Sequence, residues 1–301
     1  MGDTSHVFVV GLPRTGSTLT RGMLNRSGEV GMSGESRFLP EPTRLGLFTR
    51  PGYAERFRRI GDLATDDGIA RISEHIFAMR GKGYWARLAA RGDREAFEAA
   101  LLASERTDRA LLDVAMAQFA AGRRIRGEKT PHHIHHVPTL LGWYPEAKVI
   151  HTFRDPRAIY VSLRRKERPE KLSAVGRAAR RLGSAFDVYS IANHLHRWRL
   201  MARLHREYAS RWPDRYTIVR FEDVVTNPRP TLERLSDFLG IAYTDAMLEQ
   251  VVHNSSFVGK RTTSGIDSGT VDRWREHLSA RDRSRFARLG EAELAEFGYA
   301  P

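Results

Sequence analysis

Glycines and hydroxyl residues near the start of the chain have the spacing of a loop that binds phosphate. Four residues separate Gly11 from Gly16, which is followed by Ser17 and Thr18. In a nucleotide-binding P-loop this spacing lets backbone amides and the N-terminus of the next helix cradle phosphate oxygens. Ser17 stands where P-loop NTPases carry a lysine, and the cation of this loop is Arg14. The pattern therefore predicts a phosphate-binding loop that is poorly equipped for γ-phosphoryl transfer.

A second candidate anion site follows a later apolar run. Arg154 comes directly after Lys148–Phe153, and Asp155 with Pro156 is typical of a helix N-cap followed by proline at the first helical position. An arginine there can form a bidentate pair with a phosphate while the helix dipole adds attraction. Because ligands of doubly wound sheets bind at the carboxyl ends of the strands, we expect Arg14 and Arg154 to form two separate anion sites on one sheet edge.

Lys129 and the histidines that follow it could supply a cation and a base. Lysine is scarce in this chain, and the compact ammonium of Lys129 could neutralise charge that develops on a leaving group. His132, His133, His135 and His136 are candidate bases. His132 and His136 also have the i, i+4 spacing of a zinc site, but a glutamate between them and a nearby third ligand are missing, so we expect no metal.

Four apolar runs predict the strands that position these residues. Each run is short, and helical stretches separate them, as in a parallel sheet with helices on its faces. The predicted strands are Val7–Val10, Arg124–Gly127, Lys148–Phe153 and Tyr216–Phe221. Helices are predicted at Ser17–Asn25 and Pro230–Leu239 and within Ala54–Arg123 and Leu172–Arg211. We therefore predict the α/β class, with a P-loop-like parallel β-sheet flanked by helices in a single domain over residues 1–301.

Taken in order, these segments resemble the sulfotransferases that use 3′-phosphoadenosine 5′-phosphosulfate (PAPS). Pro13-Arg14-Thr15-Gly16-Ser17-Thr18 is similar to their 5′-phosphosulfate loop, and Arg154 with Ser162 eight residues on is similar to their 3′-phosphate motif. Glu128-Lys129-Thr130-Pro131 and the stretch from Arg220-Phe221-Glu222-Asp223 to Leu239-Gly240 also resemble segments of the family, so the matches extend from Val7 to Trp274. The similarity is greatest to the bacterial and Golgi-type branch, which includes tyrosylprotein sulfotransferases and carries arginine in place of the loop lysine.

The resemblance implies PAPS as the co-substrate, 3′,5′-diphosphoadenosine as the product, and no requirement for a metal. It implies a helical acceptor-binding insert at about 37–123 and a basic C-terminal lid at about 258–278 that contains Lys260 and Arg261. The role of Ser162 is implied by the family alone, and Ser162 could equally be a small helix-packing residue. The nucleotide contacts so implied are Pro13, Arg14, Thr15, Gly16, Ser17, Thr18, Arg154, Ser162, Lys260 and Arg261.

Glu35 is the favoured general base, with Lys129 and Arg14 as catalytic cations. The stretch Met32–Arg37 resembles the Gly-Glu-x-x-Arg stretch of tyrosylprotein sulfotransferases, but one intervening residue is missing. Aligned on Arg37, Glu35 falls on the base of that family; aligned on Gly34, it falls one residue short. A glutamate that only stabilises a helix start, and the four histidines as bases, remain alternatives.

The amino-acid composition narrows the classes of function that remain open. The 49 Lys and Arg residues against 36 Asp and Glu give a formal net charge of +13, which favours anionic partners. The alternatives are a P-loop nucleotide kinase or other NTP-binding protein and, with less support, a basic nucleic-acid-binding protein, for which no recognition motif is found.

No cysteine is present, and no apolar run or charged leader predicts a membrane span or secretion, so we expect a cytoplasmic protein. A small molecule, a sugar or a peptide could be the acceptor, at a hydroxyl or an amine, and the oligomeric state is open.

Overall fold

The apolar run Val7–Val10 forms the middle of the central strand of a parallel sheet. The computed structural model describes residues 5–42, 49–166, 184–249, 251–252, 263–264 and 266–299. Five strands form this sheet in the order β2-β5-β1-β6-β7, and every neighbouring pair is parallel. The strands are β1 (Ser5–Gly11), β2 (Val30–Ser33), β5 (Ile125–Lys129), β6 (Lys148–Phe153) and β7 (Tyr216–Arg220). Two short antiparallel pairs lie outside the sheet: β3 (Glu41–Pro42) with β4 (Thr49–Arg50), and β8 (Val251–Val252) with β9 (Thr263–Ser264).

Helices connect the strands, as the predicted α/β class requires. Those before β5 are α1 (Ser17–Asn25), α2 (Tyr53–Arg58), α3 (Asp66–Ala78), α4 (Tyr84–Arg91), α5 (Arg94–Leu102) and α6 (Asp108–Ala120). Those after it are α7 (Val137–Trp143), α8 (Pro156–Lys166), α9 (Ser184–Arg211), α10 (Phe221–Thr226), α11 (Pro228–Leu239), α12 (Trp274–His277) and α13 (Ala280–Glu296). Short 3-10 helices occur at Pro131–His136, Asp245–Leu248 and Ser268–Thr270. None of these helices is long and apolar enough to cross a membrane.

Local signals place several helix ends where the sequence predicts them. The α1 helix has the predicted bounds, and Gly240 ends α11 with a left-handed φ of 68°. At the start of α8 a carboxylate oxygen of Asp155 accepts a hydrogen bond from the amide of Arg157 at 2.8 Å, as expected of an N-cap. These ends depend on neighbouring residues, which is why the sequence alone reveals them.

Several local predictions differ from the structure, including the strand predicted at Arg124–Gly127, which covers Ile125–Lys129. Strand β2 is not among the predicted strands, yet it forms one edge of the sheet beside β5. Phe221 begins α10 instead of ending β7. Thr130 before Pro131 also has the residue types of an N-cap followed by proline, but it makes no side-chain capping bond to the 3-10 helix that follows it. Its hydroxyl instead donates to Glu128 at 3.1 Å and accepts from the amide of Ser36 at 3.1 Å.

The sheet separates two apolar clusters. Phe8 and Val10 pack in the cluster that includes α6, α7 and α9, whereas Val7 and Val9 pack with α1 and α11. Successive strand residues point to opposite faces, so β1 contributes to both clusters and is fully covered. Burying each such side chain stabilises the fold by about 1.5–3 kcal/mol. The sheet edge that carries the site therefore rests on a rigid support.

We expect a buried histidine in β6 to make stability fall in mild acid. Nδ1 of His151 lies 2.6 Å from the hydroxyl of Tyr216, and burial, together with the nearby His205, lowers the pKa of His151 to about 3. Between pH 6.5 and 3 the unfolded chain binds a proton that the native chain excludes, so the free energy of unfolding should fall as pH falls, by up to about 1.4 kcal/mol per pH unit. In urea unfolding at pH 7 and pH 5, His151→Asn should show a smaller difference than the wild type. An unchanged difference would contradict this assignment.

Candidate active site

The sheet order sets the predicted site residues side by side. Glu35 follows β2, Lys129 ends β5, Arg14 lies in the loop after β1, and Arg154 follows β6. Because β2, β5, β1 and β6 are parallel neighbours, all four residues lie at the carboxyl edge, where open α/β sheets bind their ligands. The expectation that Arg14 and Arg154 share an edge is met. With Lys129 and Glu35 they form a row of four residues along this edge.

Backbone geometry shapes the loop after β1. Gly16 has a φ of 86°, and a Cβ there would lie 2.5 Å from Cδ2 of Phe221. Gly11 has a φ of 137°, and a Cβ there would overlap the carbonyl of Thr152. Both positions therefore require glycine, because an L side chain would be strained and would also meet a neighbouring residue. Arg14 itself has a φ of 78°, a sparsely populated conformation held by its surroundings.

The hydroxyl residues of this loop have different surroundings. Thr15 is 2% exposed, and its hydroxyl donates to the carbonyl of Leu12 at 2.7 Å and lies 2.7 Å from the hydroxyl of Thr152. Its side chain thus holds the loop together. Ser17 is buried at the start of α1, whereas Thr18 is exposed in the first turn.

The loop and the region after β6 are joined by direct hydrogen bonds. Nε of Arg14 donates to the hydroxyl of Ser162 at 2.9 Å, and Nη1 of Arg154 donates to the carbonyl of Arg14 at 3.2 Å. Two motifs about 140 residues apart in the chain thus form one unit. The contact with Arg14 also shows that Ser162 faces the loop and is not only a packing residue.

Arg154 is a buried cation. It is 7% exposed, its guanidinium lies 3.9 Å above the ring of Phe221, and its Nη2 donates to the carbonyl of Thr270 at 3.3 Å. Burial lowers the pKa of Arg154 to about 10, so the side chain remains charged at neutral pH. Its buried Nε has no hydrogen-bond partner among the residues that the structure describes. A buried, incompletely bonded guanidinium is suited to binding an anion.

Glu35 and Lys129 form an ion pair at the other end of the row. Nζ of Lys129 lies 2.7 Å from Oε1 of Glu35, and Nη2 of Arg37 lies 3.5 Å from Oε2. Burial by itself would raise the pKa of Glu35, but Lys129 and then Arg37 outweigh it and hold this pKa below its usual value. Lys129 is 7% exposed, and its own desolvation exceeds the effect of Glu35 and lowers the pKa of its ammonium group.

A buried Glu–His pair supports the segment that carries Glu35. Nδ1 of His133 lies 2.5 Å from Oε1 of Glu128, and Nε2 of His133 accepts the amide of Leu39 at 3.2 Å. Because Nε2 accepts this amide, the proton of the neutral ring lies on Nδ1, the nitrogen that is close to Glu128. The same segment is held by the bond from the Ser36 amide to Thr130. The sequence analysis did not assign these positioning roles, although Glu128 stands directly beside Lys129 in the chain.

The remaining predicted residues include the histidines after Lys129 and the basic pair near the C-terminus. Burial, followed by the charge of Arg197, lowers the pKa of His132 to about 4, so this ring is neutral at pH 7. Within the described ranges, no three His, Asp or Glu side chains are grouped to hold a metal ion. Lys260 and Arg261 lie outside the described residues.

Residues 6–245 match the sulfotransferase family, and the chain belongs to that family. The sulfotransferase domain of the Synechococcus PCC 7002 olefin synthase has a similar structure, with a TM-score of 0.54 and 22% identity, over 96% of this chain and 94% of that domain. The two share the α/β fold.

Curated relatives are longer than this chain. A protein of Aquifex aeolicus with no described function is 23% identical over 279 residues, which are 90% of this chain and 30% of that protein. The nodulation protein NoeE of Sinorhizobium fredii is 27% identical over 210 residues, which are 64% of this chain and 49% of that protein. The chain thus spans about half or less of the length of these relatives.

Proposed function

We propose that this sulfotransferase uses PAPS as its donor and transfers the sulfuryl group to a hydroxyl or an amine of an acceptor. The observation that carries the proposal is the row of Arg154, Arg14, Lys129 and Glu35 along one sheet edge. Two anion sites are followed there by a cation and then by a carboxylate. A donor with phosphates at two ends of one ribose needs the two anion sites and the cation. An acceptor that must lose a proton needs the carboxylate, which comes last in this order.

The donor would be held at both of its phosphates. The loop amides and Arg14 would bind the 5′-phosphosulfate, with Ser17 and Thr18 as hydroxyl donors at the N-terminus of α1. Arg154 would bind the 3′-phosphate, and Ser162 would orient Arg14 through their 2.9 Å bond. The buried Nε of Arg154, which has no hydrogen-bond partner within the described ranges, supports this fit. Lys260 and Arg261 are proposed as further contacts from the basic lid.

The chemistry would be an in-line displacement at sulfur. Glu35 would accept the proton of the acceptor as the acceptor oxygen or nitrogen bonds to sulfur. Lys129 would neutralise the negative charge on the phosphate oxygen as its bond to sulfur breaks. When Lys129 turns toward the donor it leaves Glu35, and the burial of that carboxylate then raises its pKa and makes it a stronger base.

The acceptor would approach over the helices that precede β5. We propose that α2–α6, within the insert at about 37–123, line the acceptor site, and that the C-terminal segment at about 258–278 covers the nucleotide. The described part of that segment supports a lid, because Thr270 accepts a hydrogen bond from Arg154. Trp274 in the same segment packs 4.2 Å from the guanidinium of Arg157. The acceptor class open to this site is a small molecule, a sugar or a peptide.

A nucleotide titration tests the donor assignment. We expect 3′,5′-diphosphoadenosine to raise the melting temperature more than AMP does at equal concentration, because only the former carries a 3′-phosphate for Arg154. A ligand present at 100 times its Kd should stabilise the protein by about 2.7 kcal/mol. Equal stabilisation by AMP would contradict the two-anion site, and stronger stabilisation by ATP with Mg²⁺ would favour the kinase alternative.

A further inference from the structure

Two arginines from different helices converge beside Glu35. Arg21 lies in α1, one turn after Ser17, and Arg87 lies in α4. A Cβ built on Gly34 would lie 2.5 Å from Nη2 of Arg87 and 3.3 Å from Nη1 of Arg21. The two guanidinium groups are therefore no further apart than the sum of these distances, and both lie against the backbone next to the general base.

Neither arginine forms an ion pair with a carboxylate of the described residues. Within the part of the chain that the structure describes, no carboxylate forms an ion pair with Arg21 or Arg87, although Arg37 pairs with both Glu35 and Glu41. Nε of Arg21 is buried and bonds to none of the described residues. Burial first, and then the charge of Arg87, lower the pKa of the Arg21 guanidinium, and the charge of the nearby Glu35, which raises it, does not offset them. Two like charges are thus held together in a partly desolvated place, an arrangement that costs stability unless an anion joins them.

The position along the sheet edge indicates which substrate would bring the anion. Three neighbouring residues of the row, Arg154, Arg14 and Lys129, are assigned to the donor. Gly34 and its two arginines lie beyond Lys129, on the β2 side of the row, where Glu35 faces the acceptor. An anion bound there would lie next to the acceptor group that loses its proton.

We propose that Arg21 and Arg87 bind a negatively charged group of the acceptor, a carboxylate, a phosphate or a sulfate ester, close to the hydroxyl or amine that receives the sulfuryl group. This inference rests on the proposed function, because it takes Glu35 as the base and PAPS as the donor. Two guanidinium groups from separate helices can bind such an anion from two directions. They would orient the acceptor as well as attract it.

Inorganic sulfate, measured by calorimetry at constant ionic strength, is the probe. The protein is saturated either with 3′,5′-diphosphoadenosine, which leaves the sulfuryl position free, or with PAPS, which fills it. We expect sulfate to bind both complexes, and Arg21→Gln and Arg87→Gln each to weaken its binding to the PAPS complex at least 10-fold. Arg91 is an exposed arginine at the end of α4. The variant Arg91→Gln is the matched control and should bind sulfate as the wild type does.

Two other results would overturn the inference. If PAPS abolishes sulfate binding, Arg21 and Arg87 serve the sulfuryl group of the donor; if the variants bind sulfate like the wild type, the arginines form no subsite. Failure of the wild type to bind either nucleotide would instead contradict the proposed function, so the two failures are distinguishable.

The stability of the unliganded variants provides an independent readout. Because Arg21 and Arg87 repel each other, Arg87→Gln should leave the melting temperature of the unliganded protein unchanged or raise it. A purely structural arginine would lower it. A fall in melting temperature together with normal sulfate binding would assign Arg87 to the scaffold.

Discussion

Glu35→Gln is expected to reduce kcat by about 10²–10⁴-fold while the affinity for 3′,5′-diphosphoadenosine changes little. Glutamine keeps the shape of the side chain and an oxygen for the 2.7 Å bond from Lys129 but cannot accept the proton of the acceptor. Glu35 also lies at the far end of the row from Arg154 and Arg14, so nucleotide contacts should remain. Transfer measured from labelled PAPS, with nucleotide affinity measured by calorimetry, tests this separation.

Glu41 offers a matched control for this substitution. It lies six residues on, and its carboxylate is 3.6 Å from the same Arg37 that contacts Glu35. Among the residues that the structure describes, Lys129 pairs with Glu35 and not with Glu41. Glu41→Gln should therefore keep nearly full activity. If Glu35→Gln and Glu41→Gln lose activity alike, or if Glu35→Gln loses nucleotide binding as well, Glu35 is a structural residue.

The pH profile adds a readout that a structural role would not produce. Lys129 is the main group that holds the pKa of Glu35 below its usual value of about 4.5, against the effect of burial. In Lys129→Met the effect of burial is no longer balanced by Lys129, so the acidic limb of kcat/KM should move to higher pH as the base becomes harder to ionise. The loss of the cation should also lower kcat by about 10²–10³-fold. An acidic limb that stays in place would mean that the titrating base is a different residue.

Arg154→Met is expected to weaken binding of 3′,5′-diphosphoadenosine by about 10²-fold while AMP binding changes much less. A charge-assisted hydrogen bond contributes about 1.5–3 kcal/mol, and only the 3′-phosphate would contact this guanidinium. Methionine has a similar length and can keep the packing on Phe221, which lies 3.9 Å from the guanidinium of Arg154. The ratio of the Kd values for 3′,5′-diphosphoadenosine and AMP is the decisive quantity. Any loosening of the loop through the lost bond to Arg14 weakens binding of both nucleotides and therefore cancels in the ratio.

Arg157 is the control for this ratio. It is 3% exposed and packs against the ring of Trp274, so its surroundings resemble those of Arg154. Its guanidinium, however, is bonded to both carboxylate oxygens of Asp155, at 2.8–3.1 Å. Arg157→Met should lower stability, because Asp155 is left buried and unpaired, but it should keep the preference for the bisphosphate. Equal loss of preference in both variants would remove the 3′-phosphate role from Arg154.

Features built from neighbouring residues could be predicted from the sequence. The bounds of α1, the end of α11 at Gly240 and the cap at Asp155 depend on short-range geometry that residue types make visible. Strand β2 could not be predicted in this way. Gly31 interrupts its apolar pattern, and the reason for a glycine there is that a Cβ would lie 2.5 Å from the Cα of Ala120 in α6.

In the candidate site, too, some features follow from the sequence and others only from the tertiary structure. The sequence by itself determined the candidate phosphate-binding loop, the arginine after β6 and the identity of the candidate base and cation, because each stands at the end of a recognisable segment or in a recognisable pattern. Only the tertiary structure decided that Lys129 pairs with Glu35, that Arg14 bonds to Ser162, and that Arg21 and Arg87 meet at Gly34. The physical reason is the sheet order: parallel strands joined by long crossovers bring together residues 94 and 148 positions apart, and no local pattern records which strands will be neighbours.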